Sequence, residues 1–231
     1  MLVKLLGYTQ PVENDFIGID DVQDLIAYCA RVSNPNGQMN SATSTKLLNY
    51  LAKHAHWSPF EMASATLEIE TTRDIARQML RHRSFAFQEF SQRYADPTQD
   101  LSFVVREARL QDQNNRQNSI EMDSEDSTQR IISETWLEAQ QEVIDLAKRT
   151  YEWAIDNGIA KEQARAVLPE GNTVSRLYMQ GSIRSWIHYI QLRSGHGTQK
   201  EHIEIAVEVA KAITKIFPLA QSYIATLAED E

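Results

Sequence analysis

A single cysteine, Cys29, is all the thiol that this 231-residue chain has. No disulfide can form within it, and a reducing cytoplasm is the expected setting. Cys29 sits in the apolar stretch LIAYCARV and reads as a small packed hydrophobe. No apolar run reaches the roughly 18 residues of a membrane-spanning helix. The opening MLVKLLGYTQ is too short in apolar length for a signal peptide and is broken by Lys4. Glycine-rich phosphate loops of the dinucleotide or P-loop type are missing, and no serine sits in a nucleophile elbow. Positive charge is scarce too: 23 Lys and Arg face 32 Asp and Glu, for a net charge of −9. That field repels nucleic acid and anionic membrane at long range, so neither is an expected partner. A small anion remains admissible, because a local patch dominates within about 8–10 Å in physiological salt.

What is present reads as one domain over residues 1–231, of α+β class. The expectation is a small antiparallel sheet with helices packed on one side. Residues 2–8 read as a strand. Val22, Leu25, Ile26 and Cys29 follow Asp20 and Asp21 at helical spacing, and Asn34-Pro35-Asn36-Gly37 ends that helix. A second helix is expected over 42–54. From Met62 to Glu70 the chain alternates, with Ala63, Ala65, Leu67 and Ile69 on one face. That is a half-buried strand. Thr71-Thr72-Arg73-Asp74 offers a helix cap, and Ile75, Met79 and Leu80 an apolar stripe. Ser84–Phe90 alternates again, and Phe103–Val105 is a third strand candidate. Residues 111–129 hold only two apolar side chains, Ile120 and Met122, and read as a mobile polar loop. Helices are expected beyond it, over about 129–157, 161–168, 178–193 and 198–216.

The scarce positive charge is concentrated. Residues 73–93 hold five arginines against Asp74 and Glu89; residues 165–201 hold four arginines and Lys200 against Glu170 and Glu201. Each block sums to +3, which leaves −15 for the rest of the chain. The densest part is RHRSFAFQEFSQRY, residues 81–94, which has too few acids to pair its cations. Arg77 and Arg81, four apart on the expected helix, repel unless an anion lies between them. Arg184 and His188, and Tyr189 and Arg193, are also four apart and mark two faces of one helix. His54-Ala55-His56 lacks a further ligand at metal-binding spacing, so no metal is assigned. Glu61 reads as a supporting acid.

These residues resemble the flavin-dependent thymidylate synthases. The family signature is Arg-His-Arg, seven residues, then Ser; here that is Arg81-His82-Arg83 and Ser91. The likeness continues in HWSPFE (56–61), Ala76-Arg77-Gln78, Ala164-Arg165-Ala166-Val167-Leu168-Pro169 and Ile190-Gln191-Leu192-Arg193. The resemblance implies reductive methylation of dUMP to dTMP without an enzyme cysteine nucleophile. Methylenetetrahydrofolate would be the carbon donor, with FAD reduced by NADPH as the hydride donor. It also implies a homotetramer whose sites are built from several subunits. Ser58, Arg81, His82, Arg83, Glu89, Ser182, Ile183, Arg184 and His188 match flavin-binding positions. Gln78, Arg81, Glu89, Ser91, Gln92, Arg93, Arg165 and Arg193 match nucleotide-binding positions, with Ser91, Arg93 and Arg165 at the phosphate. Arg165 matches an arginine supplied by a neighbouring subunit. Arg193 matches the arginine that activates the pyrimidine and is the expected catalytic residue. Gln88 and His188 stand where many members have Asn.

Two other classes fit the charged block. One is a nucleotide-binding module that kept the pocket and lost the chemistry. The other is an RNA-binding protein stacking bases on Arg and Phe, which the acidic net charge disfavours.

Overall fold

The computed structural model describes residues 2–12 and 18–224. In chain order its elements are β1 (Leu2–Tyr8), α1 (Val22–Ala30), α2 (Ser44–Lys53), β2 (Ser64–Thr72), α3 (Arg73–Met79), β3 (Ala86–Glu89) and α4 (Pro97–Asp100). Then follow β4 (Arg109–Gln111), β5 (Ser119–Glu121), α5 (Ser127–Asp156), α6 (Lys161–Ala164), β6 (Val174–Ser182), α7 (Ile183–Arg193) and α8 (Lys200–Thr214). The result is mixed helix and sheet. Four strands form a small antiparallel sheet in the order β1-β2-β6-β3, and β4 and β5 form a separate pair.

The chain divides into two compact units. Unit 1 comprises residues 1–69, 82–87 and 178–231, and unit 2 comprises 70–81 and 88–177. In unit 1, β2 buries Ala65, Leu67 and Ile69 as its alternation requires. Ile26, Leu48, Phe60, Trp186, Ile187, Ile190, Ile205, Val209 and Phe217 complete a dry core. Asp21 caps α1 by accepting from the Asp24 amide at 2.8 Å. In unit 2, α5 buries Gln140, Ile144, Ala147, Tyr151 and Ala154 at alternating spacings of four and three. Tyr151 and Ala154 pack with Ala164 and Leu168. Arg106 fastens the start of α3: its Nη atoms donate to Asp74 at 2.8 and 2.6 Å and to Thr72 at 2.5 Å.

Four expectations change, the last of them the mobile loop expected over 111–129. Residues 178–182 are strand, not helix. Leu177, Met179 and Gly181 are buried while Tyr178 and Gln180 are exposed, a period of two. Helix starts only at Ile183, where Ser182 accepts from the Ser185 amide at 3.2 Å. Secondly, α3 ends at Met79, so Arg81 lies beyond it and does not share a helical face with Arg77. Thirdly, Phe103 makes an isolated bridge to Thr173 rather than opening a strand. Residues 111–129 carry most of the β4–β5 hairpin and the first turn of α5. Side chain-to-backbone bonds stand in for the missing apolar surface. Asp112 Oδ1 accepts from the Asn114 and Asn115 amides at 2.7 and 3.0 Å, and Asp126 caps α5.

Candidate active site

In unit 1 the site residues gather on α7. Arg193, in its last turn, donates through Nε to Nε2 of His82 at 2.9 Å. Nε2 of His82 is therefore unprotonated, and the ring is a neutral acceptor. Burial pushes the His82 ionisation down to about 4, with the Arg193 charge acting in the same direction. Tyr189 lies edge-on to His82, ring centroids 5.0 Å apart. The Tyr189 hydroxyl is 3.0 Å from Nε2 of His202. Burial drives the phenol's ionisation upward and lowers His202 to about 3. Both groups are accordingly neutral, and they share one hydrogen bond. His202 is fully buried. Phe85 packs on Trp186 at 4.7 Å and fills the space above Gly181, where a Cβ would come within 2.4 Å of its ring. Glycine is required there by close approach.

The other face of α7 carries a second group. Arg184 donates to Glu61 at 3.1 Å, and His188 meets Trp57 edge-on at 4.7 Å. Burial, then the Arg184 charge, hold His188 below its usual range against the opposing pull of Glu61. The two faces read from residues 184, 188, 189 and 193 are therefore real. Ser58 opens the turn that carries Glu61 and is exposed. Ile183 is a core residue whose amide donates to the Ala63 carbonyl at 2.9 Å. Arg83 is exposed and forms no ion pair among the described residues.

In unit 2 a cavity of about 350 Å³ is lined by Arg73, Arg77, Gln92, Glu162, Arg165, Ala166, Leu168 and Glu170. Of the expected nucleotide residues, it brings Gln92 and Arg165 together, and Arg93 pairs with its wall residue Glu162 at 3.4 Å. Ser91 opens the turn that positions them; its carbonyl accepts from the Tyr94 amide at 3.0 Å. Glu89 accepts from Ser175 Oγ at 2.9 Å and lies 3.6 Å from both Arg73 and Arg77. Gln78 is on α3, half-buried, and Arg81 is exposed. His202, Trp57 and Arg73 were not singled out by the sequence as site residues, and Tyr189 only marked a face of α7. Arg73 fell within the charge count but read as part of a cap. Nothing local announces that it is only 7% exposed.

Known proteins share this chain's sequence and fold. The family model described as thymidylate synthase complementing protein matches residues 17–219. A probable flavin-dependent thymidylate synthase of Paramecium bursaria Chlorella virus 1 is 47% identical over 219 residues, covering 94% of this chain and 96% of that protein. The flavin-dependent thymidylate synthase of Synechocystis sp. is 52% identical over 196 residues, 85% of this chain and 86% of the relative. Among solved structures, the UMP/dUMP methylase PolB from Streptomyces cacaoi bound with 5-Br dUMP superposes with a TM-score of 0.76 at 22% identity. That match covers 96% of this chain and 93% of the other, and shares the fold. The chain belongs to the flavin-dependent thymidylate synthase family.

Proposed function

We propose that the protein methylates dUMP to dTMP, with methylenetetrahydrofolate as carbon donor and NADPH-reduced FAD as hydride donor. The observation that carries the reading is the Arg193–His82 bond. A neutral imidazole fixes the guanidinium through Nε. Among the described residues its terminal nitrogens carry no bond and stay available to a pyrimidine edge. A cation held there stabilises negative charge developing on the ring. Cys29 is a poor alternative: burial raises its thiol ionisation, and the thiolate is the nucleophilic form.

The donor set fits a flavin dinucleotide. Arg81 and Arg83 are exposed cations without ion pairs among the described residues, and Trp57 with His188 offers an aromatic wall. When bound, the flavin supplies the hydride chemistry. Ser58, Arg81, His82, Arg83, Glu89, Ser182, Ile183, Arg184 and His188 would hold it, Ile183 through its backbone. Gln78, Arg81, Glu89, Ser91, Gln92, Arg93, Arg165 and Arg193 would hold the nucleotide, with Arg193 catalytic.

The assembly we propose is a homotetramer in a reducing cytoplasm. Its support is a second stripe on α5. Ile132, Trp136, Val143, Leu146 and Trp153 are 47–60% exposed and recur at spacings of three, four and seven. A monomer leaves that surface in water at a cost of about 25 cal/mol per Å².

The test of function is the visible spectrum of the purified protein, before and after FAD and then dUMP. A flavin spectrum that shifts with dUMP, followed by NADPH-dependent dTMP formation, is expected. No flavin binding even with added FAD would sink the reading.

A further inference from the structure

The cavity in unit 2 contains cations to which the family resemblance gives no role. Elsewhere in that unit arginines are locked by short bonds. Arg106 reaches Asp74 at 2.6 and 2.8 Å, and Arg176 reaches Glu70 at 2.6 Å. These match or undercut the roughly 2.7–2.9 Å of a charge-assisted hydrogen bond. Around the cavity the pairs are loose: Arg73–Glu89 at 3.6 Å, Arg77–Glu89 at 3.6 Å and Arg77–Glu170 at 3.8 Å. The side chain of Arg165 forms no ion pair among the described residues. Glu89 divides its carboxylate between two arginines and also serves Ser175.

Two buried groups in the wall lack what they need. Arg73 is 7% exposed, and desolvation works against its charge more than Glu89 supports it. Gln92 is 4% exposed, and its buried Nε2 has no hydrogen-bond partner among the described residues. The missing group must be an acceptor, to satisfy Gln92. It must be anionic, because around the cavity Arg73, Arg77, Arg93 and Arg165 share only three carboxylates among the described residues, those of Glu89, Glu162 and Glu170. It must present several oxygens at once, because Arg73 and Arg77 reach the cavity from α3, Gln92 from the turn after β3 and Arg165 from the segment after α6. A phosphate monoester, carrying about −1.5 to −2 and three terminal oxygens, meets all three conditions.

We propose that Arg73 is a phosphate-binding residue of this enzyme, acting with Arg77 and the Gln92 amide on the nucleotide's phosphate. Glu170 and Glu162 hold the looser cations until the phosphate displaces them. The proposal rests on the reading of the chain as a dUMP-methylating enzyme. It adds residues that would separate a nucleotide from the phosphate-free nucleoside.

The experiment uses the flavin-loaded full chain as wild type, Arg73→Gln, Arg73→Lys and Arg77→Gln. It measures kcat and KM for dUMP, and the inhibition constant of inorganic phosphate competing with dUMP. Arg73→Gln is expected to raise both KM and the phosphate inhibition constant about tenfold or more, with kcat within about twofold. Arg73→Lys should recover much of the loss, and Arg77→Gln should move both constants the same way by less. Unchanged constants in Arg73→Gln would overturn the proposal. So would a fall in kcat and melting temperature with the phosphate constant unmoved, which is the signature of a purely structural partner for Glu89. If Arg73→Gln does not fold, the half-exposed Arg77 decides, and unmoved constants in Arg77→Gln would overturn it. If the wild type forms no dTMP, the functional reading fails separately. Calorimetry with inorganic phosphate then decides Arg73: binding lost in Arg73→Gln upholds it, and equal binding overturns it.

Discussion

The arginine that ends α7 in unit 1 and the arginines around the cavity of unit 2 are held in opposite ways. In unit 1, Arg193 meets a neutral ring at hydrogen-bond distance, and around that ring Tyr189, Trp186 and Phe85 are packed edge to face, with His202 bonded to Tyr189. In unit 2, Arg73, Arg77 and Arg93 face carboxylates at 3.4–3.8 Å, too far for good hydrogen bonds. The first arrangement fixes one guanidinium in place with no competing anion. The second keeps several cations near counter-charges that can be exchanged. Fixed geometry is what transition-state charge stabilisation needs, because the donor must not reorganise as charge develops. Exchangeable pairing suits binding and release of an anion.

The largest effect should come from the fixed cation. Arg193→Ala is expected to cut dTMP formation by about 10²–10³-fold or more while flavin stays bound, as seen in turnover and in the visible spectrum. Near-normal turnover would remove the contrast. The exchangeable set should respond in affinity instead. Arg165→Gln is expected to weaken dUMP binding about 10–100-fold, the worth of a hydrogen bond to a charged group, while saturated turnover holds. A loss confined to kcat would place Arg165 with Arg193 and not with the cavity.

The packed cluster should also register in stability. Tyr189→Phe removes the hydrogen bond to the buried Nε2 of His202 and should destabilise the fold by about 1–3 kcal/mol in chemical denaturation. Acid provides the mildest probe. In the folded protein His82 takes up a proton only near pH 4 and His202 near pH 3, whereas in the unfolded chain each does so near 6.5. The unfolded state therefore binds more protons between those values. Stability should be full above about pH 6.5 and fall as pH drops toward 4. His202→Gln should flatten the lower part of that slope in a series of melting curves. No difference between the variant and the wild type would mean that the His202 ring is not held neutral.

Much of the region around Arg193 was legible in the sequence because it is written locally. The Arg-His-Arg and Ser signature, the two faces of α7 and the alternation of β2 are each set by spacing along a few turns or pleats. The phosphate cavity was only half legible. Gln92, Arg93 and Arg165 came from the resemblance, but Arg73 looked like any arginine near a helix start. Residues 178–182 misled because Tyr178, Met179 and Ser182 suit a helix as well as a strand. Only pairing within the sheet selected the period of two.

By itself, then, the sequence determined the α+β class, the buried face of β2, the concentration of cations in an acidic chain, and the family chemistry. These follow from periodicity, charge count and ordered motifs, all of which act over short stretches. Tertiary structure alone decided that His82 and Arg193, 111 residues apart, share a hydrogen bond, that Tyr189 and His202 share another, and that Arg73 is buried beside a half-committed Glu89. Burial and partner choice belong to the closed chain: a guanidinium or an imidazole takes its charge and its role from what folding brings against it, and no local spacing encodes that.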